Sequence, residues 1–202
     1  MNPRVEPLPP GEWDPFLTRV VEGTGPYHVF TTLARHPALF QAWIGFGAAL
    51  LYGMLPARDR ELAVLRTAHH RGSAYEWAQH VRLAREAGLT DAEIEAVRGT
   101  GTVGAEVGDG TVGAEVGDGT AVPEVRETGG GHRWDPADRL VLDVADELHA
   151  RGDLTDATWR ALCDRYDEPG RIEIVMLVAH YDMLAVVLNT LRVPVEGPGL
   201  IP

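Results

Sequence analysis

Residues 71–89, RGSAYEWAQHVRLAREAGL, contain the start, body and stop of one helix. Ser73 can cap the first turn, Glu76 three residues later completes a capping-box pattern, and Gly88 supplies the C-terminal stop. The same signals recur on either side. LPARDRELAVLRTAHHRG places Pro56 near a first helical position and Gly72 near a stop, with Leu62, Leu65 and Ala68 on one stripe. TDAEIEAVR repeats the pattern with Thr90 and Glu93, so residues 56–98 read as a helix–turn–helix unit. Pro37 opens a strongly apolar helix to about Leu51, with Leu39, Trp43, Phe46 and Leu50 at helical spacing. Asp135-Pro136 starts an amphipathic helix through Leu140, Val144 and Leu148. TDATWRALCDRY is a shorter one, and GRIEIVMLVAHYDMLAVVLNTL is long, apolar and expected to be largely buried. Weaker helical patterns lie near 12–21 and 27–35, after a Pro-rich, extended stretch at 1–11. No segment shows the alternation of a half-buried strand, so the predicted class is all-α.

One segment breaks the helical pattern. GTVGAEVGD occurs twice in tandem, at 101–109 and 110–118, and eleven of the 23 glycines lie between 99 and 131. Glycine at this density makes a packed helix too costly in backbone entropy. Residues 99–133 are therefore expected to form a flexible Gly-rich insertion in a single domain spanning 1–202. A hairpin turning at Asp109-Gly110 is the other reading weighed; a calcium-binding nonapeptide coil lacks its Gly-Gly-x-Gly-x-Asp signature.

Composition excludes several chemistries. All 18 basic residues are Arg, so Schiff-base catalysis through lysine is ruled out. Cys163 is the single cysteine, leaving no Cys-x-x-Cys pair, intrachain disulfide or cysteine-rich zinc site. Ser73 is the single serine, and RGSAY is not a nucleophile elbow. The net charge of −12 disfavours a nucleic-acid partner. No apolar run reaches the roughly 18 residues of a membrane span, and MNPRVEPLPPGEWDP lacks a signal-peptide pattern, so the expected location is cytoplasmic, with no membrane partner.

The stretch RDRELAVLRTAHHRGSAYEWAQHVRLAREAGLTDAEIEAV resembles the carboxymuconolactone decarboxylase family, which also contains the AhpD-like alkylhydroperoxidases. The likeness lies in Arg-Glu-Leu on one helix, a Gly turn, Tyr-Glu-Trp-x-x-His on the next, and the REAGLTDAEIEAV tail. VMLVAHYDMLAVVLNTL is similar to the closing helix of many members. The resemblance implies an AhpD-like helical domain with a central antiparallel helix pair, and a homo-oligomer. Peroxidase members use a glutamate, two cysteines and a histidine. On this chain the glutamate falls on Glu61, the histidine on His80, and the cysteine positions on Ser73 and Glu76. Without a dithiol, peroxide reduction of that kind is disfavoured. The expectation is a cysteine-less, decarboxylase-like lyase needing no cofactor. It would act by general acid–base chemistry on a small carboxylated lactone, oxo acid or aromatic precursor. The alternatives are an AhpD-like redox protein or a non-catalytic oligomeric protein that binds a small molecule.

The residues themselves allow that chemistry. Glu76 and His80 are one helical turn apart on one face, and Glu61 on the preceding helix can meet them. Glu61, His80 and Glu76 are the expected catalytic groups, with His80 as proton donor and Glu61 as its orienting partner. Ser73, Tyr75, Trp77 and His69 are expected to contact substrate. Arg58, Arg60, Arg66 or Arg71 could pair with its carboxylate. Each has a plainer reading: Glu76 as the capping partner of Ser73, Tyr75 and Trp77 as core, and His69 and His70 as cations closing a helix C-terminus. His180, Tyr181 and Asp182 could line the same cavity. No metal is expected, although Glu61, Glu76 and His80, with His69 or His70, form a weak Zn²⁺ alternative.

Overall fold

The computed structural model describes residues 2–99 and 132–197. The insertion expected at 99–133 therefore lies, apart from its ends, outside the described residues. Among the described residues the ordered elements are all helical: a short 3₁₀ turn at Pro10–Glu12, α1 (Pro15–Thr24), α2 (His28–Leu33), α3 (Pro37–Leu51), α4 (Ala57–His70), α5 (Ala74–Glu86), α6 (Asp91–Ala96), α7 (Pro136–Arg151), α8 (Asp156–Arg165) and α9 (Glu168–Leu191). The first helix begins later than its apolar pattern suggests. Asp14 accepts from the Leu17 amide and Pro15 occupies the first turn, so the cap sets the boundary. Pro56 sits one place earlier than expected, at the N-cap of α4.

Helix α4 is the centre of the molecule, packed by α5, α7 and α9. Its expected stripe, Leu62, Leu65 and Ala68, is buried, and so are Ala63, Val64 and the polar residues Asp59, Glu61, Arg66 and Thr67. A helix covered all round must satisfy its polar groups inside the protein. Asp59 accepts from Arg165 and Tyr166, while Arg66 binds Asp146 and the carbonyls of Val97 and Gly99. Arg58, on the same helix, holds Asp138 and Glu93.

The two apolar helices are less covered than their sequences suggest. On α3 only Phe40 and Leu50 are buried, and Leu39 and Phe46 are exposed. Helix α9 buries Ile174, Leu177, Val178, Tyr181, Leu184, Ala185 and Leu188 but exposes Ile172, Met176, Met183 and Val186. It is also long and apolar enough to cross a membrane by length and composition, which corrects the expectation that no segment is; its inner face belongs to the protein core.

Candidate active site

Two helix connections decide how the site is built. Between α5 and α6, Gly88 adopts φ 90°, the Leu89 amide returns to the Ala84 carbonyl, and Thr90 then begins α6 with a complete capping box to Glu93. Between α4 and α5 the connection is one residue shorter. Gly72 adopts φ 58° and the Ser73 amide itself returns to the Ala68 carbonyl. Ser73 therefore closes α4 and caps α5 at once. Its hydroxyl accepts from the Glu76 amide at 3.4 Å, but its own N–H is already used. The box cannot be completed from the Glu76 side, and the expected Ser73–Glu76 capping box is half-formed. The Glu76 carboxyl is left 2% exposed with neither oxygen hydrogen-bonded.

That carboxyl borders a cavity of about 370 Å³ between α2, α3, α5 and α9. Glu76, Gln79, His80 and Arg82 reach it from α5, His180 and Tyr181 from α9, and Tyr27, Phe30 and Trp43 supply aromatic wall. Glu61 does not line it. Fully buried on α4, Glu61 lies behind His80, with Oε2 2.7 Å from Nδ1, and its Oε1 accepts from Arg60 Nε at 2.9 Å. Burial alone would raise the Glu61 pKa, but the His80 and Arg60 partners outweigh it and hold the carboxyl below its ordinary value. A carboxylate can only accept, so Nδ1 of His80 carries the proton in this pair and Nε2 is the nitrogen left for a substrate. The Tyr181 ring meets the His80 ring edge-on at 4.9 Å and fixes its plane.

Glu76 contrasts with Glu61. Burial pushes its carboxyl up to about 8, the Ser73 hydroxyl opposing and the Asp182 charge adding to the rise. Two carboxyls beside one histidine are thus driven apart, one ionised and one protonated at neutral pH. His180 is pushed down to about 4 by burial, so it faces the cavity as a neutral imidazole, stacked on Trp43 at 6.2 Å and edge-on to Phe46 at 5.1 Å.

Of the expected substrate contacts, Tyr75 lines the cavity and the others do not. The Tyr75 hydroxyl is turned to Glu196 Oε1 at 2.6 Å, and Glu196 also receives the His28 amide and Gln79. Ser73 is buried in the helix junction. Trp77 packs on the main core, with the Arg98 guanidinium 3.8 Å from its ring centre. His69 lies at the far end of α4, beside His70. None of the four arginines considered for a substrate carboxylate borders the cavity. Arg58, Arg60 and Arg66 are paired as described above, and Arg71 pairs with Asp182. The arginine that does border it is Arg82, whose Nη1 binds Glu86 while its buried Nε has no partner. Arg82, Gln79, Trp43 and Glu196 escaped the sequence reading. Gln79, three residues after Glu76, and Arg82, two after His80, lie on the same helix and were accessible to it.

Among the described residues no three His, Cys, Asp or Glu side chains converge as metal ligands would. His69 and His70 stand apart from the Glu61–His80 pair. Cys163 is exposed on α8, away from the cavity.

Residues 37–107 match the model of the carboxymuconolactone decarboxylase family. No curated protein matches the chain in sequence. Crystal structures that share its fold include the following three. One is a protein of unknown function from Agrobacterium tumefaciens described as an antioxidant defence protein AhpD, with 16% identity, TM-score 0.61, and coverage of 83% of this chain and 98% of its own. The second is an AhpD-core, peroxidase-related protein from Ralstonia eutropha JMP134, with 19% identity, TM-score 0.68, and coverage of 97% and 94%. The third is a peroxidase-related protein from Silicibacter sp. TM1040, with 14% identity, TM-score 0.68, and coverage of 99% and 93%. Residues 37–107 are thus similar to the carboxymuconolactone decarboxylase family, and the chain as a whole shares the helical fold of the AhpD-like structures.

Proposed function

We propose that the protein is a cofactor-independent acid–base enzyme of the decarboxylase kind, acting on a small carboxylated lactone, oxo acid or aromatic precursor. The observation that carries this reading is the Glu61–His80 pair, with an ionised carboxylate behind an imidazole that borders an aromatic-walled cavity. Loss of carbon dioxide leaves the electron pair of the broken C–C bond on the adjacent carbon, conjugated with a carbonyl. His80 delivers a proton from Nε2 to that carbon, and the Glu61 carboxylate, accepting from Nδ1–H, orients the ring through the transfer. Solvent then restores the Nε2 proton. A second carboxylate beside an anionic substrate would repel it; burial removes the difficulty by keeping Glu76 neutral. Arg82 is the cavity's cation for the substrate carboxylate.

The peroxidase-related relatives suggest thiol redox chemistry as a second reading. Ser73 and Glu76 stand where the resemblance places the paired cysteines, and Cys163 is remote from the cavity, so the residues favour acid–base work. The experiment is an assay of carbon dioxide release, with solvent deuterium entering the product, over a panel of carboxylated γ-lactones, β-oxo acids and hydroxybenzoates. At least one should turn over in the wild type and fail in H80Q at unchanged melting temperature. Binding without turnover throughout the panel would make the protein a non-catalytic binder.

A further inference from the structure

Beyond α9 the chain turns back on itself. Arg192 takes φ 55°, a left-handed conformation uncommon outside glycine, and the Val193 amide returns to the Leu188 carbonyl. The tail then meets the start of α2, where Nδ1 of His28 donates to the Pro194 carbonyl at 2.9 Å. It carries in Glu196, whose carboxylate is 6% exposed. That carboxylate accepts from three donors: the His28 backbone N–H at 2.6 Å, the Tyr75 hydroxyl at 2.6 Å, and the Gln79 side-chain amide. The Tyr75 hydroxyl in turn accepts from the Val29 N–H at 3.1 Å. Burial and the Glu196 charge push the Tyr75 pKa far up, so its hydroxyl stays a donor. Among the described residues the one basic group at ion-pair distance from Glu196 is the His28 ring, at 3.8 Å.

The donors belong to two different walls of the cavity. Tyr75 and Gln79 line it from α5, while Tyr27, Val29 and Phe30 line it from α2 and its cap. Glu196 does not line it. It stands behind the wall, as Glu61 stands behind His80. Little else fastens α2 to α5. Six residues are too few to sustain a helix alone. The apolar contact is a small cluster of Val29, Tyr75, Leu184, Leu188 and Val193, apart from the main core. Just before α2, Gly25 adopts φ 110° and ψ 161°, a conformation open essentially to glycine alone. A buried carboxylate met by neutral donors is stable only while all of them stay in place, so the tail, α2 and α5 are held or released together.

We propose that Glu196 is a positioning residue for the cavity: from behind the wall it clamps α2 to α5, closing the seam between them and fixing the shape that a ligand meets. The clamp stands on how the cavity is built, whatever chemistry His80 performs there.

The test is backbone hydrogen exchange on the full chain, read by mass spectrometry. In E196A, peptides spanning 27–33 should exchange about 10-fold faster or more, as expected for losing hydrogen bonds to a charged acceptor, while α4 and α7 exchange at the wild-type rate. E196Q is the rescue. Its amide oxygen still accepts from His28 and Tyr75, and its N–H meets the Gln79 oxygen once that amide turns over, so most of the α2 protection should return. Y75F removes only the hydroxyl that bridges Val29 and Glu196. It should speed α2 in the same direction by less, and it carries the test if E196A does not fold. Unchanged α2 exchange in E196A or Y75F, a rise spread equally over α4 and α7, or no rescue in E196Q would overturn the clamp. H80Q distinguishes this failure from that of the proposed reaction, since it should abolish turnover and leave α2 protected. Turnover lost in H80Q with α2 unmoved in E196A sinks the clamp alone. Release of α2 in E196A with normal turnover in H80Q sinks the acid–base reading alone.

Discussion

His80 Nδ1 lies 2.7 Å from Glu61 Oε2, and of these two residues only His80 borders the cavity. The carboxylate is covered on every side by its own helix and its partners, so its charge acts through the imidazole. This division of labour gives E61Q a definite signature. The amide can present its N–H to Nδ1 and favour the opposite tautomer, so kcat should fall by about 10²-fold or more, with a smaller change in KM and an altered pH profile. Equal effects on kcat and KM with an unchanged profile would mean that Glu61 only supports the packing.

Glu76 makes a prediction of opposite sign about stability. Its carboxyl titrates near 8 when folded and near its ordinary 4.5 when unfolded. The native state therefore binds more protons between those values, and stability is lost as pH rises through that window. By pH 8 the loss should amount to a few kcal/mol. E76Q should melt close to wild type at pH 4.5 and above it at pH 8. A difference independent of pH would show that Glu76 is not held protonated.

Glu61 runs the other way. Its folded pKa is lowered, so its contribution is present above the unfolded value near 4.5 and is lost as pH falls through the folded one. The melting-temperature gap between wild type and E61Q should be largest at neutral pH and close in acid. A gap that persists unchanged at pH 3 would contradict an ionised Glu61 behind His80.

The exposed apolar residues of α3 and α9, Leu39, Phe46, Ile172 and Met176, together with Tyr52 and Met54 just beyond α3, remain unexplained by a lone chain. We propose that this face is covered by further copies of the same chain. Light scattering at micromolar concentration should give a multiple of the chain mass, and I172E with M176E should reduce it to the single-chain mass with helicity retained. A wild-type monomer would refute the assembly.

Much of this fold is visible in local sequence. Ser73, Thr90, Asp135 and Thr155 each cap the helix their position suggests, and the pairing of Glu61 with His80 follows from consecutive helices joined by a short turn. The fate of Glu76 is less visible. Ser73-x-x-Glu76 and Thr90-x-x-Glu93 are the same local pattern. They differ because Gly72 is followed at once by Ser73, whereas Leu89 stands between Gly88 and Thr90. One residue of spacing decides whether the capping amide is free, and so whether the glutamate closes a box or faces a cavity. The arginines fail for another reason. Arg58 and Arg66 lie on a helix buried nearly all round, and which carboxylates from α6 and α7 meet them depends on packing that no single helix pattern encodes.

The most direct test of the central claim is a double-mutant cycle on kcat with the variants H80Q, E61Q and both together. Groups acting as one unit lose their effect once, so the double variant should be no more than about 3-fold slower than H80Q alone. Losses that multiply, or an H80Q variant turning over at the wild-type rate, would contradict the claim that Glu61 works through His80.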